Sequence, residues 1–270
     1  MWLKKVFGTD KPVIGMIHLQ AMPTDPKFKA ERGVEYVVES ARADLAALQS
    51  AGFDGVLFCN EFSIPYTVKV PVVTVTTMSY VIGCLSDELT VPFGITVAND
   101  ACMAFDVAAA TGASFVRGIL HGAHAGVYGF SNVDPGEIER HRYEVGCGDV
   151  KTMTAIIPEG TRQVAERPVE EVVRTLSFNL NPDTLLVYSD KPGSAVDEDL
   201  VRKVKASTDT PVLASNGVKA STVEEILSIA DGCIVGTGIK VDGNFYNPID
   251  PGRARELMVN ARAARGEIEI

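Results

Sequence analysis

The sequence predicts an α/β fold, a (β/α)8 TIM barrel in which eight parallel strands alternate with eight helices. Short apolar runs recur along the whole chain, and each is followed by a polar or glycine-rich break and a stretch with helical spacing. This alternation is typical of parallel strands joined by helical crossovers. The length of 270 residues suits a barrel, which has about 250 residues. No segment has the composition of a linker, so we expect a single domain over residues 1–270. A doubly wound open sheet is the alternative.

The predicted strands are short apolar runs, and the predicted helices lie between them. The strands are 13–17 (VIGMI), 55–59 (GVLFC), 93–97 (FGITV), 115–119 (FVRGI), 152–156 (TMTAI), 185–188 (LLVY), 211–214 (PVLA) and 232–235 (GCIV). The helices are 33–51, 73–89, 100–111, 135–145, 168–178, 197–207, 221–230 and 251–265. The segment 121–135, HGAHAGVYGFSNVDP, is glycine-rich and aperiodic. We expect a lid or a binding loop there.

Composition excludes several classes of protein. The formal net charge is −10 and no basic stripe is present, which argues against nucleic acid as a partner. A small phosphorylated substrate needs only a few backbone amides and one or two cations, so it stays compatible with this charge. The 5 cysteines form no CxxC pair, which argues against a disulfide framework or a zinc ribbon. No apolar run reaches the length of a membrane span or a signal segment, so we expect a cytoplasmic protein with no membrane partner.

Polar and titratable residues follow nearly every predicted strand. In barrels of this type, active sites lie in the loops after the carboxyl ends of the strands. The residues at those positions are His18 and Gln20, Asn60 and Glu61, Asn99 and Asp100, Arg117, His121 and His124, Glu159, Ser189, Asp190 and Lys191, Ser215 and Asn216, and Thr237 and Lys240. These are the candidates for substrate binding and catalysis.

The last two predicted strands both end in glycine-rich turns. The seventh runs into ASNGVKAST and the eighth into VGTGIK, at the position where barrels bind phosphate on backbone amides. One such turn is explained as well by local chain geometry, but a consecutive pair favours a phosphate site. The residues expected to bind phosphate or substrate are Ser215, Asn216, Gly217, Val218, Gly236, Thr237 and Lys240. For Lys240, an ion pair with Asp242 is the alternative.

Four residues are candidates for catalysis. His18 closes the first strand and is suited to general acid–base or electrophilic chemistry, with a packed structural histidine as the alternative. Glu61 and Asp100 could supply carboxylates for proton transfer, although Asp100 also suits the cap of the following helix. Lys191 could bind an anion or form a Schiff base, unless it lies in a solvated turn. Arg117 is expected to orient anionic groups of the substrate.

A metal site is the weaker reading of the histidines. His121 and His124, in the sequence HGAH, could bind a divalent ion with His18 as a third ligand. Glycine-rich loops often carry histidine without metal, so no cofactor is expected, and a metal-dependent hydrolase is only an alternative function.

Three blocks of the sequence are similar to the BtpA/SgcQ family, which is grouped with the ribulose-phosphate-binding barrels. They are KPVIGMIHLQAMP near the N-terminus, AGFDGVLFCNEF, and ADGCIVGTGIKVDGNFYNPIDPGRARELM near the C-terminus. The resemblance extends with gaps over nearly the whole chain, and the last block is the most specific. His18, Lys240 and the turns at Gly217 and Gly236 fall on the family's motifs.

The resemblance implies a TIM barrel and a ligand that resembles a phosphosugar. Members of the family have been linked to photosystem I biogenesis or to sugar utilisation. Two segments depart from the family pattern: IIPEGTR stands where members carry a Lys-His pair, and YSDKPGS stands where they carry a TG…TG turn. These departures imply a subgroup with a different substrate or reaction.

The function that these observations favour is an enzyme acting on a phosphorylated sugar or a nucleoside-derived phosphate. Isomerisation, aldol-type (lyase) cleavage and glycosidic cleavage all suit the candidate residues. A non-catalytic biogenesis or regulatory protein is the alternative from another class, and it would present a sizeable exposed apolar patch. We also expect a homo-oligomer.

Overall fold

Eight parallel strands close into a barrel in the computed structural model, which describes residues 1–189 and 196–269. The barrel strands are β1 (Val13–His18), β2 (Gly55–Cys59), β3 (Phe93–Thr96), β4 (Phe115–Gly118), β7 (Lys151–Ala155), β9 (Thr184–Val187), β10 (Val212–Ala214) and β11 (Cys233–Val235). Their order around the barrel is β1-β11-β10-β9-β7-β4-β3-β2. The predicted barrel is therefore confirmed, and each predicted strand overlaps a barrel strand.

The strand β1 closes the barrel because it pairs on both of its edges. Ile14 lies opposite Gly55 on β2 and opposite Ile234 on β11. Every residue of β1 is buried, since one face of the strand packs inside the barrel and the other packs under the helices. This double burial explains why the strands read as continuous apolar runs and not as alternating ones. It also excludes the open sheet, which would leave two edge strands unpaired.

Helices surround the barrel close to their predicted positions. They are α2 (Gly33–Ala51), α3 (Val72–Cys84), α4 (Ala101–Thr111), α5 (Pro135–Glu144), α6 (Val169–Asn179), α7 (Glu198–Lys205), α8 (Val223–Ile229) and α9 (Pro251–Ala264), with short 3-10 turns at Ser86–Glu88, Thr237–Ile239 and Val241–Gly243. Aspartates start four of them: the side chains of Asp100, Asp134, Asp197 and Asp250 accept backbone N–H groups of the first turn. In the described residues, no helix combines the length and apolar composition that a membrane span requires.

A short helix that the sequence did not predict closes the amino-terminal end of the barrel. This helix, α1 (Trp2–Phe7), buries Leu3 and Phe7 against the side chains that fill the barrel interior. The ring of Phe7 lies 5.5 Å from that of Phe115. The indole Nε1 of Trp2 donates a hydrogen bond of 2.8 Å to the carbonyl oxygen of Asp183, just before β9. The helix therefore acts as a plug that completes the inner core.

A small antiparallel sheet replaces the long loop expected at 121–135. The strands β5 (Gly122–Gly126) and β6 (Gly129–Val133) form a hairpin, and β8 (Thr161–Gln163) pairs with the free edge of β5. The prediction of an irregular loop is wrong, since β5 and β6 pair locally and β8, about 35 residues later in the chain, pairs with the other edge of β5. The ring of Tyr128, at the hairpin turn, contacts that of Tyr66 at 5.4 Å.

Candidate active site

One cavity of about 630 Å³ opens at the carboxyl ends of the barrel strands. Side chains or backbone from seven different strand ends line it, which is where barrel enzymes place their active sites. Of the predicted residues, the cavity brings together His18, Glu61, Arg117, Glu159, Ser215, Asn216, Gly217, Val218, Gly236 and Thr237. It also contains Asp242, which was considered as a partner of Lys240, and residues that the sequence did not single out, namely Tyr188, Lys219, Phe245, Arg253 and Glu256.

His18 is the last residue of β1 and is only 5% exposed. Neither ring nitrogen has a hydrogen-bond partner among the described residues. The ring packs edge-on against Phe62 and at a tilt against Phe245, with centroids 6.0 and 5.4 Å away. Gly236 leaves room for this ring, since a Cβ there would lie 3.0 Å from His18 Nε2. An unpaired buried imidazole is costly for a folded protein, so its nitrogens are available for a ligand.

Burial lowers the pKa of His18 to about 4, although the carboxylate of Glu61 partly opposes this effect. The positive charges of Lys240 and Arg117 act in the same direction as burial. The imidazole is therefore neutral at pH 7. A neutral imidazole can donate a proton or a hydrogen bond to a substrate oxygen without carrying a charge into the barrel.

Glu61 follows β2 by two residues and is partly buried at the cavity wall. Tyr66 donates a hydrogen bond of 3.0 Å to its Oε1. Burial raises the pKa of this carboxyl, but electrostatic interactions with His18 and Arg117 and hydrogen bonds from Cys59 and Tyr66 outweigh burial and bring the pKa below its usual value. Glu61 is therefore an ionised carboxylate at neutral pH, able to accept a proton.

Arg117 projects from β4 across the top of the barrel interior. Its Nη1 lies 3.4 Å from the Sδ atom of Met16 on β1, and its guanidinium lies 5.9 Å from the ring centroid of Tyr188. The guanidinium also interacts electrostatically with the carboxylates of Glu61 and Glu159. A fixed cation at this position can hold an anionic or developing negative charge on a substrate.

The turns after β10 and β11 lie against each other at one end of the cavity. A Cβ on Gly238 would come 2.2 Å from the carbonyl oxygen of Val218, so the two backbones meet as closely as glycine allows. Gly217 has a positive φ of 68°, and Ser215 Oγ is buried and has no partner among the described residues. Two converging backbone turns with an unpaired hydroxyl are suited to an anion.

Two cations that the sequence analysis did not single out lie beside these turns. Lys219 follows the turn after β10, and Arg253 lies in the first turn of α9; both line the cavity. The Nη1 atom of Arg253 is 3.5 Å from the position a Cβ would take on Gly243. Arg253 comes almost 20 residues after β11, so only the folded chain reveals its position. Asp242 and Glu256 lie on the same rim, so the cations are not a uniform positive patch.

Lys240 does not line the cavity, so its predicted contact with phosphate stays a prediction. The side chain is 1% exposed, and its Nζ donates a hydrogen bond of 2.8 Å to the carbonyl oxygen of Phe245. The ammonium also lies 4.9 Å from the ring centroid of Phe62. Burial lowers the pKa of Lys240 to about 8, against the opposing charges of Asp44 and Glu61. The lysine therefore holds Phe245 in place under the cavity.

Of the other two candidates for catalysis, one does not line the cavity and one lies outside the described residues. Asp100 Oδ1 accepts a hydrogen bond of 3.2 Å from the Met103 amide and caps α4, and Asp100 does not line the cavity. The capping alternative therefore describes it better than a catalytic role. Lys191, with Asp190, lies outside the described residues.

The three histidines do not form a metal site. His121 Nε2 bonds to the carbonyl oxygen of Ala155 at 2.9 Å, and His124 Nε2 bonds to the carbonyl oxygen of His121 at 3.0 Å. Both belong to the hairpin region and not to the cavity that contains His18. Across residues 1–189 and 196–269, no three His, Cys, Asp or Glu side chains are arranged to hold an ion. The described residues therefore do not bring His18 together with His121 and His124.

Replacing His18 by Gln is expected to change how stability depends on pH. Because burial lowers the folded-state pKa of His18 from 6.5 to about 4, the unfolded chain binds the proton more readily between these pH values. Above pH 6.5 the imidazole is neutral in both the folded and the unfolded chain. As the pH falls from 6.5 toward 4, the unfolded chain binds the proton first, and the folded protein loses roughly 3 kcal/mol of stability. Urea unfolding of wild type and H18Q from pH 4 to pH 7 measures this. A difference between the two proteins that is independent of pH would contradict it.

Comparison with known proteins agrees with the fold and with the resemblance noted above. The model of the BtpA family matches residues 9–263. The putative sgc region protein SgcQ of Escherichia coli is 43% identical over 95% of this chain and 96% of its own length. The photosystem I biogenesis protein BtpA of Synechocystis is 29% identical over 96% of this chain and 90% of its own length. The solved N-(5'-phosphoribosyl)anthranilate isomerase of Pyrococcus furiosus, at 16% identity, superposes with a TM-score of 0.56 over 94% of this chain and 99% of its own. The chain belongs to the BtpA family.

Proposed function

We propose that the protein is an enzyme that transfers a proton within a phosphorylated sugar or a nucleoside-derived phosphate. The observation that carries the proposal is the unpaired imidazole of His18, which shares one cavity with the paired turns after β10 and β11. The turns offer an anion site, and the imidazole lies with Glu61 at the reacting end. Such a cavity has both a site that binds the phosphate of the substrate and side chains that can transfer a proton.

The anion end would bind the phosphate mainly through backbone amides. We assign Gly217, Val218, Gly236 and Thr237 as amide donors, with the hydroxyl of Ser215 as a further partner. Lys219 and Arg253 would add positive charge from the rim. A phosphate monoester held this way is fixed by several donors at once, which positions the sugar carbons toward the barrel axis.

The reacting end combines an ionised carboxylate with a neutral imidazole. Glu61 would remove a proton from carbon, and His18 would stabilise the oxygen on the neighbouring carbon by hydrogen bonding. Pairs of groups whose environments set opposite protonation states are a recurrent basis of acid–base catalysis. Arg117 would balance the negative charge that develops. Isomerisation suits this set best, because it needs no second substrate and no redox partner.

The names of similar proteins support this proposal. The superposed barrel from Pyrococcus furiosus is named as an isomerase of a phosphoribosyl compound. That protein shares only the fold at this level of identity, so its name supports a phosphorylated sugar as the substrate class without identifying the compound.

Arg253→Ala is expected to weaken the binding of sugar phosphates by about tenfold, since a hydrogen bond to a charged group contributes about 1.5 kcal/mol or more. In a thermal-shift titration, a sugar phosphate at 100 times its dissociation constant should stabilise the wild type by roughly 2.7 kcal/mol. Arg255→Ala is the matched control, because Arg255 is exposed on the same helix and does not line the cavity. Equal weakening by both variants, or no stabilisation of the wild type by any sugar phosphate, would refute the phosphate site.

The hairpin sheet favours a second candidate function, that of an assembly or regulatory protein. Val127, Phe130 and Val164 are 87%, 57% and 57% exposed, and exposed apolar side chains of this kind are typical of interaction surfaces. A V127S/F130S double variant distinguishes the two candidates. An enzyme would keep both its affinity for sugar phosphates and its cellular role in this variant, whereas an assembly factor would lose its cellular role although its cavity stays intact.

A further inference from the structure

We propose that Glu159 is the proton donor of this site, and that it works with Glu61 to interconvert the aldose and ketose forms of a phosphorylated sugar. The inference rests on the proposed function and narrows it to one reaction class. It also gives Asn216 a role different from the expected contact with phosphate: Asn216 is a positioning residue for the Glu159 carboxyl.

The contacts of Asn216 join the anion end of the cavity to Glu159. Its Nδ2 donates a hydrogen bond of 2.7 Å to Glu159 Oε1, and its Oδ1 accepts one of 2.8 Å from the backbone amide of Ser189. Both the nitrogen and the oxygen of the Asn216 side-chain amide thus have partners, and the side chain is fixed between the loops after β7, β9 and β10. Because Oε1 accepts the hydrogen bond, Oε2 of Glu159 is the oxygen left to carry a proton into the cavity.

Glu61 and Glu159 line the same cavity from different strand ends but differ in their preferred state. Burial raises the pKa of Glu159, and the negative charge of Glu61 adds to this effect; the hydrogen bond from Asn216 and the charge of Arg117 oppose it without reversing it. The pKa of Glu61 lies below its usual value. Glu159 therefore holds its proton to a higher pH than Glu61 does, which is the difference that a proton donor and a proton acceptor need.

The proposed step balances without a further reactant. The Glu61 carboxylate takes a proton from the carbon next to the carbonyl, while Glu159 gives its proton to the carbonyl oxygen, and an enediol forms. Glu159, now ionised, then takes the proton of the neighbouring hydroxyl as the new carbonyl forms. Glu61 returns its proton to the former carbonyl carbon. Both residues end in their starting states, and neither an electron acceptor nor water is consumed.

Binding of a charged analogue tests the proton on Glu159 before any substrate is known. Arabinonate 5-phosphate carries a carboxylate that resembles the enediolate, and arabinitol 5-phosphate carries a neutral hydroxyl at the same position. The dissociation constants of both compounds are measured by calorimetry from pH 4.5 to pH 8. Their ratio removes the titration of the phosphate itself, which the two compounds share.

We expect the ratio of aldonate to alditol dissociation constants to be flat at low pH. Above the pKa of Glu159 the ratio should rise about tenfold per pH unit. The reason is that the carboxylate of the aldonate binds well only when the carboxyl of Glu159 is protonated. In E159Q the ratio should be flat throughout, since an amide keeps its hydrogens. In N216A the bend should move to higher pH, because a hydrogen bond that lowers the pKa of Glu159 is lost.

Other charged groups around Glu159 make the variants necessary. Glu61, Arg117, His18 and Tyr188 line the same cavity, and a bend that persisted in E159Q would assign the proton to one of them and overturn the inference. A flat ratio in the wild type, with tight alditol binding, would also overturn it while leaving the proposed function intact. If neither compound binds, the proposed function fails and the inference fails with it. Should E159Q not fold, the curves of wild type and N216A decide.

Discussion

Replacing Glu61 by Gln is expected to lower the rate of proton transfer in a bound sugar phosphate by about 10²–10⁴-fold, the usual contribution of a positioned general base. The amide cannot accept a proton, yet its oxygen can still accept the hydrogen bond from Tyr66, so the local structure should persist. Deuterium incorporation from D₂O into a panel of aldose and ketose phosphates, followed by proton NMR, measures the effect.

The control for this variant is Glu166→Gln. Glu166 is exposed and does not line the cavity, so it should exchange deuterium at the wild-type rate. The role of Glu61 as base would be contradicted if E61Q exchanged as fast as E166Q. It would also be contradicted if E61Q lost affinity for the sugar phosphate while its exchange rate at saturation stayed unchanged, because that result would indicate binding and not proton transfer.

Phe7→Ala is expected to reduce the free energy of unfolding by about 3–5 kcal/mol, as for other large aromatic side chains in a core. Phe7 is 7% exposed. It packs on Phe115 and on the start of β2, where a Cβ on Gly55 would lie 2.7 Å from its ring. Removal of the ring would leave a cavity at the base of the barrel that the rigid strands cannot close. Urea denaturation at pH 7 measures the change.

Lys5→Ala on the same helix is the matched control. Lys5 is exposed, and its replacement should change stability by no more than about 0.5 kcal/mol. Since Phe7 lies at the opposite end of the barrel from the cavity, affinity for sugar phosphates should be kept in the fraction of F7A that is folded. A loss of stability below 1 kcal/mol would show that α1 is not an integral part of the inner core.

The sequence predicted the barrel because its strands are buried on both faces and therefore stand out as apolar runs between helical patterns. It could not predict α1, which has six residues and shows less than two full turns of a helical pattern. The sequence also did not predict the hairpin sheet. Its third strand, β8, comes from a distant segment, and the pairing of β8 with β5 is a property of the folded chain alone.

For the candidate site, the type of a residue and its position at a strand end predicted which residues could lie there. The contacts that each side chain makes could not be predicted. His18 and Glu61 lie in the cavity because strand ends converge there. Lys240 also follows a barrel strand, yet its side chain turns under the rim and bonds to Phe245. Arg253 belongs to a helix far along the chain, so no local signal marks it as part of the site.

The measurement that tests the central claim most directly is a crystal structure of the protein soaked with arabinitol 5-phosphate. We expect the phosphate within hydrogen-bonding distance of the backbone amides at Gly217 and Thr237, with the carbon chain extending toward His18 and Glu61. Phosphate density at any other surface, with the cavity filled only by water at saturating ligand, would contradict the account.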